Sequence, residues 1–134
     1  SRFAANFARL GIHPGFGLTV TLPRLVGPQQ AALLFYTGRR VKGGEAVALG
    51  LADVLAEDTD AIRPTALALA REIAESAPLA VSSVRATLRR GLADEIEART
   101  EHELREQQWL RETEDAQEGI RAVAERRAGH FQGR

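Results

Sequence analysis

The chain has 134 residues, with 18 Lys and Arg against 18 Asp and Glu, 44% hydrophobic and 27% charged residues, and neither cysteine nor methionine. That is enough apolar sequence for one core, and the balanced charge offers no field to draw the protein onto nucleic acid or an anionic membrane. Without cysteine there can be no disulfide, thiolate zinc site or thiol nucleophile. No apolar run nears the roughly 20 residues of a membrane span, and a reducing, cytoplasmic setting is the expectation. Lacking methionine, the sequence reads as a processed or incomplete chain.

Backbone punctuation comes first in chain order. LGIHPGFGLTVTLPRLVG, Leu10 to Gly27, holds four glycines and two prolines around a run of apolar residues. Pro14 pushes His13 toward extended backbone, and the glycines permit close approach to something, either a ligand or a neighbouring core element. After Gly27-Pro28, QQAALLFYTG predicts a helix that starts on the proline, buries Ala31, Leu34 and Phe35, and ends at Gly38. GGEAVALG, Gly43 to Gly50, predicts a second short helix, and LADVL after it has the length and β-branched centre of a brief strand.

From Asp58 the periodicity is helical. Asp58, Thr59 and Asp60 offer N-caps to a helix with Ile62, Ala66, Leu69, Ile73 and Ala77 on one face. Pro78 opens another, with Val81, Val84 and Leu88 on one side and Gly91 at its end, and the two are expected to pack as neighbours. Asp94 to Thr113 is the longest and most polar candidate. Its i,i+4 pairs, Glu95 with Arg99 and Glu101 with Arg105, are worth about 0.2–0.5 kcal/mol each, and its apolar stripe of Ile96, Leu104 and Leu110, with Trp109, is sparse. Asp115, three residues before Glu118, predicts a capping box for a last helix through Arg127.

Few motifs for specific chemistry stand up. His102-Glu103 lacks the second histidine of a zinc helix, Glu106 standing in its place, and reads as a solvated helix face, so no metal site is expected. Gly15-Phe16-Gly17 lacks the third glycine of a dinucleotide fingerprint. Arg89-Arg90 reads as dipole compensation at a helix end. Arg126-Arg127 lies near Phe131, a combination suited to a phosphorylated, ring-bearing group as well as to solvation.

Four segments in order, LGIHPGFGLTVTLPRLVG, LLFYTGRRVKGGEAVALGLADVL, SAPLAVSSVRATL and TEDAQEGIRAVAERRAGHF, resemble the C-terminal half of the crotonase family of enoyl-CoA hydratases and isomerases. The resemblance implies an α/β fold: the end portion of a spiral ββα core over residues 1–57, then a helical region over 58–134 that assembles trimers or hexamers, so that this chain is mostly α. The thin stripe of the long polar helix would then meet a neighbour. The resemblance also implies an acyl-CoA thioester as substrate, with coenzyme A as part of it and no covalently bound cofactor; charge, hydropathy and motif spacing lead to the expectation of no metal, no nucleic acid and no membrane partner. In the family, two backbone N–H groups from the N-terminal half stabilise a thioester enolate, each such donor being worth about 2.7–4 kcal/mol. The isolated chain is therefore expected to be inactive.

Residue by residue, the family segment F-A-x-P-E ahead of L-G-x-x-P-G aligns with Phe3 and Ala4, but places Asn6 at the proline and Phe7 at the glutamate. Phe7 cannot transfer a proton, which puts conventional two-carboxylate hydration in doubt. Gly15 matches the glycine whose backbone lies beside the reacting water, and Gly17-Leu18-Thr19 departs from Gly-Gly-Thr at Leu18. Phe7, His13, Pro14, Gly15, Gly17 and Leu18 are the expected substrate-binding set, with His13 a candidate for the lost acid or base. Arg126 and Phe131 match positions that meet the nucleotide end of coenzyme A. The alternative is a family member that binds acyl-CoA without catalysis or only supports an oligomer.

Overall fold

Phe3 stands opposite Val41 in a two-stranded antiparallel sheet that pairs β1 (Arg2–Ala4) with β2 (Arg40–Lys42) in the computed structural model, which describes residues 1–134. Between the strands the chain makes a 3-10 turn at Ala8–Leu10 and two helices, α1 (Leu18–Val26) and α2 (Pro28–Thr37). Pro28 opens α2, where its missing N–H costs nothing, and Ala31 and Leu34 are its buried residues. Leu22 and Val26 of α1 meet them, and Ala5, Val41 and Ala46 complete the core cluster.

Helix α1 is a departure from the sequence reading, which left Leu18 to Val26 without an element. Thr19, Val20, Thr21 and Pro23 are poor helix formers. Burial of Val20, Leu22 and Val26 overrides that local preference, and Pro23 is accommodated inside the helix.

Helix α3 (Gly43–Ala48) follows β2 directly. The strand expected at LADVL does not form. Leu51 and Ala52 both turn their N–H groups back onto the Ala46 carbonyl, at 2.8 and 3.2 Å, so donors that a strand would pair are already engaged at the end of α3.

Helices α4 (Ile62–Ala74), α5 (Pro78–Leu88), α6 (Leu92–Leu110) and α7 (Glu114–Ala124) make up the rest. Asp58 accepts a hydrogen bond from the Ala61 N–H at 2.8 Å, just ahead of α4. Pro78 begins α5 and Gly91 precedes α6. Neither α4 nor α5 buries a residue and the two make no extended contact with each other, so the expected packing between them does not form.

Helix α6 instead packs on α1, and α7 packs on the 3-10 turn. The approach of α7 is close because Gly119 has no side chain: a Cβ there would lie 2.5 Å from the Leu10 carbonyl carbon. Ala116 and Ala122 lie on the same buried face. Its cap is Thr113, whose hydroxyl accepts from the Ala116 N–H at 3.1 Å, rather than the predicted Asp115. The Asp115 carboxylate is engaged elsewhere, accepting the Gln132 and Gly133 N–H groups at 2.7 Å each.

Candidate functional site

The segment His13 to Thr19 links the 3-10 turn to α1, and its geometry is unusual. Phe16 and Gly17 both have positive φ, 63° and 67°, and the Leu18 N–H returns to the Gly15 carbonyl at 3.1 Å. That is a mirror-image β-turn with an aromatic residue where glycine or asparagine is normally found. Holding a non-glycine residue there costs on the order of 1 kcal/mol or more and requires neighbours that fix the loop.

Helix α6 supplies them. Glu103, predicted to lie on a solvated face, is fully buried, and its carboxylate accepts three hydrogen bonds: Gly17 N–H at 2.7 Å, Thr19 N–H at 3.0 Å and Thr19 hydroxyl at 2.5 Å. The two backbone N–H groups are donors left unpaired at the start of a helix, so Glu103 caps α1 from another element, with its negative charge on the favourable end of the helix dipole. One turn further along α6, Gln107 donates from Nε2 to the His13 carbonyl at 2.9 Å. A Cβ on Gly15 would stand 2.7 Å from that amide nitrogen, and one on Gly17 would meet Ile96 at the same distance. Both glycines therefore have a structural reason to be glycine.

A cleft of about 570 Å³ opens beside this segment. His13, Pro14 and Thr19 line one part of it, Phe35 and Tyr36 of α2 another, and Leu110 closes the end of α6. The Nδ1–H of His13 donates to the Pro14 carbonyl at 2.7 Å, which in the neutral ring leaves Nε2 with a lone pair. Its ring meets that of His102 edge-on, with centroids 6.0 Å apart. A larger cleft, about 670 Å³, lies between β1 and α4 and includes Phe3, Leu55, Ile62 and Leu69 in its wall; it contains no histidine or basic side chain.

Of the expected substrate-binding set, His13 and Pro14 line the smaller cleft. Phe7 and Leu18 pack against the core cluster instead, and Gly15 and Gly17 are buried beneath α6. Phe7 thus presents an apolar ring to an apolar cluster. Arg126 and Phe131 lie past the end of α7, outside both clefts. Arg127 pairs with Glu118 and Glu125, Arg126 has no ion pair, and Phe131 sits over Gly129.

No group of three or more histidines and carboxylates that could hold a metal occurs in the structure. Sequence reasoning missed Glu103, Gln107 and Thr19. The signal was present in the spacing: Ile96, Glu103, Gln107 and Leu110 share one face of α6, two polar residues filling inner positions, while Leu104, counted in the apolar stripe, is exposed.

The enoyl-CoA hydratase/isomerase family model matches residues 1–134. A short-chain-enoyl-CoA hydratase of Clostridium acetobutylicum is 33% identical over 127 residues, covering 95% of this chain and 48% of that protein. Among solved structures, an enoyl-CoA hydratase/isomerase of Pseudoalteromonas atlantica superposes with a TM-score of 0.83 at 29% identity, covering 98% of this chain and 53% of the other. A carnitinyl-CoA hydratase of Mycobacterium avium gives 0.83 at 28% identity, covering 99% and 52%. The chain spans about half the length of the relatives it matches. Its α/β fold is that of the end portion of the crotonase spiral with its helical extension, and the chain belongs to the enoyl-CoA hydratase/isomerase family.

Proposed function

We propose that these 134 residues form part of an enzyme that binds an acyl-CoA thioester and passes it through an enolate. The observation that carries this reading is the family match along the whole chain, loop His13–Thr19 included. Relatives named as acting on short-chain enoyl-CoA and carnitinyl-CoA support a coenzyme A thioester as the substrate class. The N–H groups that hold the enolate oxygen would come from sequence outside these residues, and the 134-residue chain by itself would then be inactive. Residues 1–57 would close the catalytic core and 58–134 would serve assembly into trimers or hexamers.

Within this chain the loop backbone at Gly15 would lie beside the reacting acyl group, with His13 and Pro14 walling it. Phe7 fills the position of the family's second glutamate and has no acidic proton to transfer. Proton transfer would therefore rest on a single carboxylate elsewhere, or on His13, whose Nε2 is free of the Pro14 contact. Arg126 and Phe131 would meet the nucleotide end of coenzyme A, where a guanidinium and a ring suit phosphate and adenine. No helix here is long and apolar enough to cross a membrane, and bacterial relatives such as that of Clostridium acetobutylicum fit a cytoplasmic setting.

The test is loss of the conjugated-thioester absorbance when the complete polypeptide is mixed with crotonyl-CoA. Rapid loss with a 3-hydroxyacyl product is the expected outcome and establishes hydration with phenylalanine at position 7. Binding without loss of absorbance replaces hydration by a different enolate reaction or by the non-catalytic alternative. Absence of binding overturns the acyl-CoA reading altogether.

A further inference from the structure

We propose that Glu103 and Gln107 are positioning residues for the reactive loop, one turn apart on α6, fixing the backbone on either side of Gly15. This inference rests on the acyl-CoA reading of the site and adds to it the device that holds the loop in place.

Three observations carry it. First, the two side chains bracket the loop. Gln107 holds the His13 carbonyl on one side of Gly15, and Glu103 holds the Gly17 and Thr19 N–H groups on the other. The partners are 84 to 94 residues apart in sequence, so the loop is not fixed by its own local hydrogen bonds alone. Second, Glu103 is a fully buried carboxylate whose recorded partners all lie in this segment. Burying such a group is expensive unless it is hydrogen-bonded, and here both carboxylate oxygens are used. An apolar residue would fill the same place in the α6 stripe at no desolvation cost, so the carboxylate needs a reason beyond packing. Third, the loop is strained at Phe16, a residue that is 91% exposed and has little packing to hold φ at 63°. A left-handed conformation at such a residue persists when its surroundings fix it. The bond from Gly17 N–H to Glu103 does so at the next residue.

Losing an acceptor at Glu103 would free a donor at the start of α1 and let Phe16 relax toward negative φ. Gly15 would move with it. Displacement of about 1 Å at a reacting centre costs on the order of 100-fold in rate. The expected signature is therefore a loss in kcat with little change in KM, because the acyl-CoA contacts outside the loop are untouched.

The experiment compares the complete polypeptide with its Glu103→Gln variant, which keeps the volume and removes one acceptor and the charge. Amide exchange at Gly17 and Thr19, and steady-state turnover of crotonyl-CoA, are read on the same samples. Exchange at those two amides should rise at least about tenfold, and kcat should fall roughly 10- to 100-fold while KM moves by less than about twofold. Unchanged exchange, or unchanged kcat with faster exchange, overturns the proposal. A purely structural role would lower the melting temperature and leave kcat of the folded fraction intact, and that result overturns it too.

If Glu103→Gln fails to fold, Gln107→Met answers the same question: it keeps the side-chain length, removes the donor to His13, and should lower kcat several-fold with KM unchanged. An unaltered kcat in that variant overturns the proposal. A wild-type protein that neither binds nor turns over crotonyl-CoA overturns the acyl-CoA reading first, and the positioning role with it.

Discussion

Arg126 sits in the left-handed region, with φ 57°, directly after the last residues of α7. The Arg126 N–H bonds the Val123 carbonyl at 3.2 Å and the Arg127 N–H bonds that of Ala122 at 3.0 Å, the paired pattern that closes many helices. Glycine is the usual residue at this position because a Cβ is disfavoured there. Arg126 makes no ion pair, and its backbone is held in a conformation that costs on the order of 1 kcal/mol. Replacing Arg126 with glycine relieves that strain, while the greater freedom of glycine in the unfolded chain works against the gain. The expected net change is a rise of no more than about 1 kcal/mol, or a few degrees in Tm for a chain of this size. If Arg126 meets coenzyme A phosphate, Arg126→Gly should at the same time weaken acyl-CoA binding by roughly tenfold, the scale of one charge-assisted contact. Calorimetric titration with acetyl-CoA beside a thermal melt separates the two effects. Unaltered affinity would remove Arg126 from the binding site.

Residues 126–134 form no regular element, yet they are strapped to the first turns of α7. Glu118 accepts from Arg127 at 2.5 Å and from the His130 N–H at 3.0 Å, and the Asp115 N–H donates to the Arg134 carbonyl at 3.0 Å. The Arg127 hydrogen bond, aided by the one from His130, draws the Glu118 carboxyl down from 4.5 to about 2. A carboxyl depressed on folding stabilises the strap above its unfolded value of 4.5, and that contribution disappears as the pH falls through about 2. The His130 amide resonance should therefore shift with a midpoint near 2, and Glu118→Gln should move it to the released position already at pH 7. A midpoint above 4 would show that the strap is not held through Glu118. At this scale the sequence was readable where a residue acts through its own backbone. Pro28 and Pro78 start helices and Gly38 ends one, as their fixed or permissive φ values require. It was unreadable where distant partners decide. Helix α1 depends on a core and on a carboxylate more than 80 residues away; Leu51 and Ala52 are taken up by Ala46; and Asp115 serves the strap while Thr113 caps the helix. Glu103 stands among polar neighbours in sequence, and its interior place shows in its spacing from Ile96 and Leu110 and in the α6–α1 packing.

Beyond residue 57, Glu103, Ala116, Gly119 and Ala122 are the buried residues, so the long helical portion contributes little interior of its own. On α4, Ile62, Leu69 and Ile73 share one face and are exposed, as are Leu79, Val84 and Leu88 of α5. Full burial of such a side chain is worth about 1.5–3 kcal/mol, and each of these retains a large part of that gain. Large apolar side chains exposed along two successive helices mark surface that a partner element could cover. If the covering element is a neighbouring subunit, as the proposed assembly requires, the complete polypeptide should sediment as a trimer or hexamer. The paired change Leu69→Glu and Ile73→Glu should then shift it toward monomer, because two carboxylates would have to be desolvated in the interface. The 134-residue chain should self-associate with increasing concentration by the same face. If the face is covered instead by the remainder of the same polypeptide, the charged variant would lose thermal stability without any fall in assembly mass. Sedimentation equilibrium and a melt on one preparation thus distinguish the two arrangements: a fall in mass places the α4–α5 face between subunits, and a fall in Tm at constant mass places it inside one.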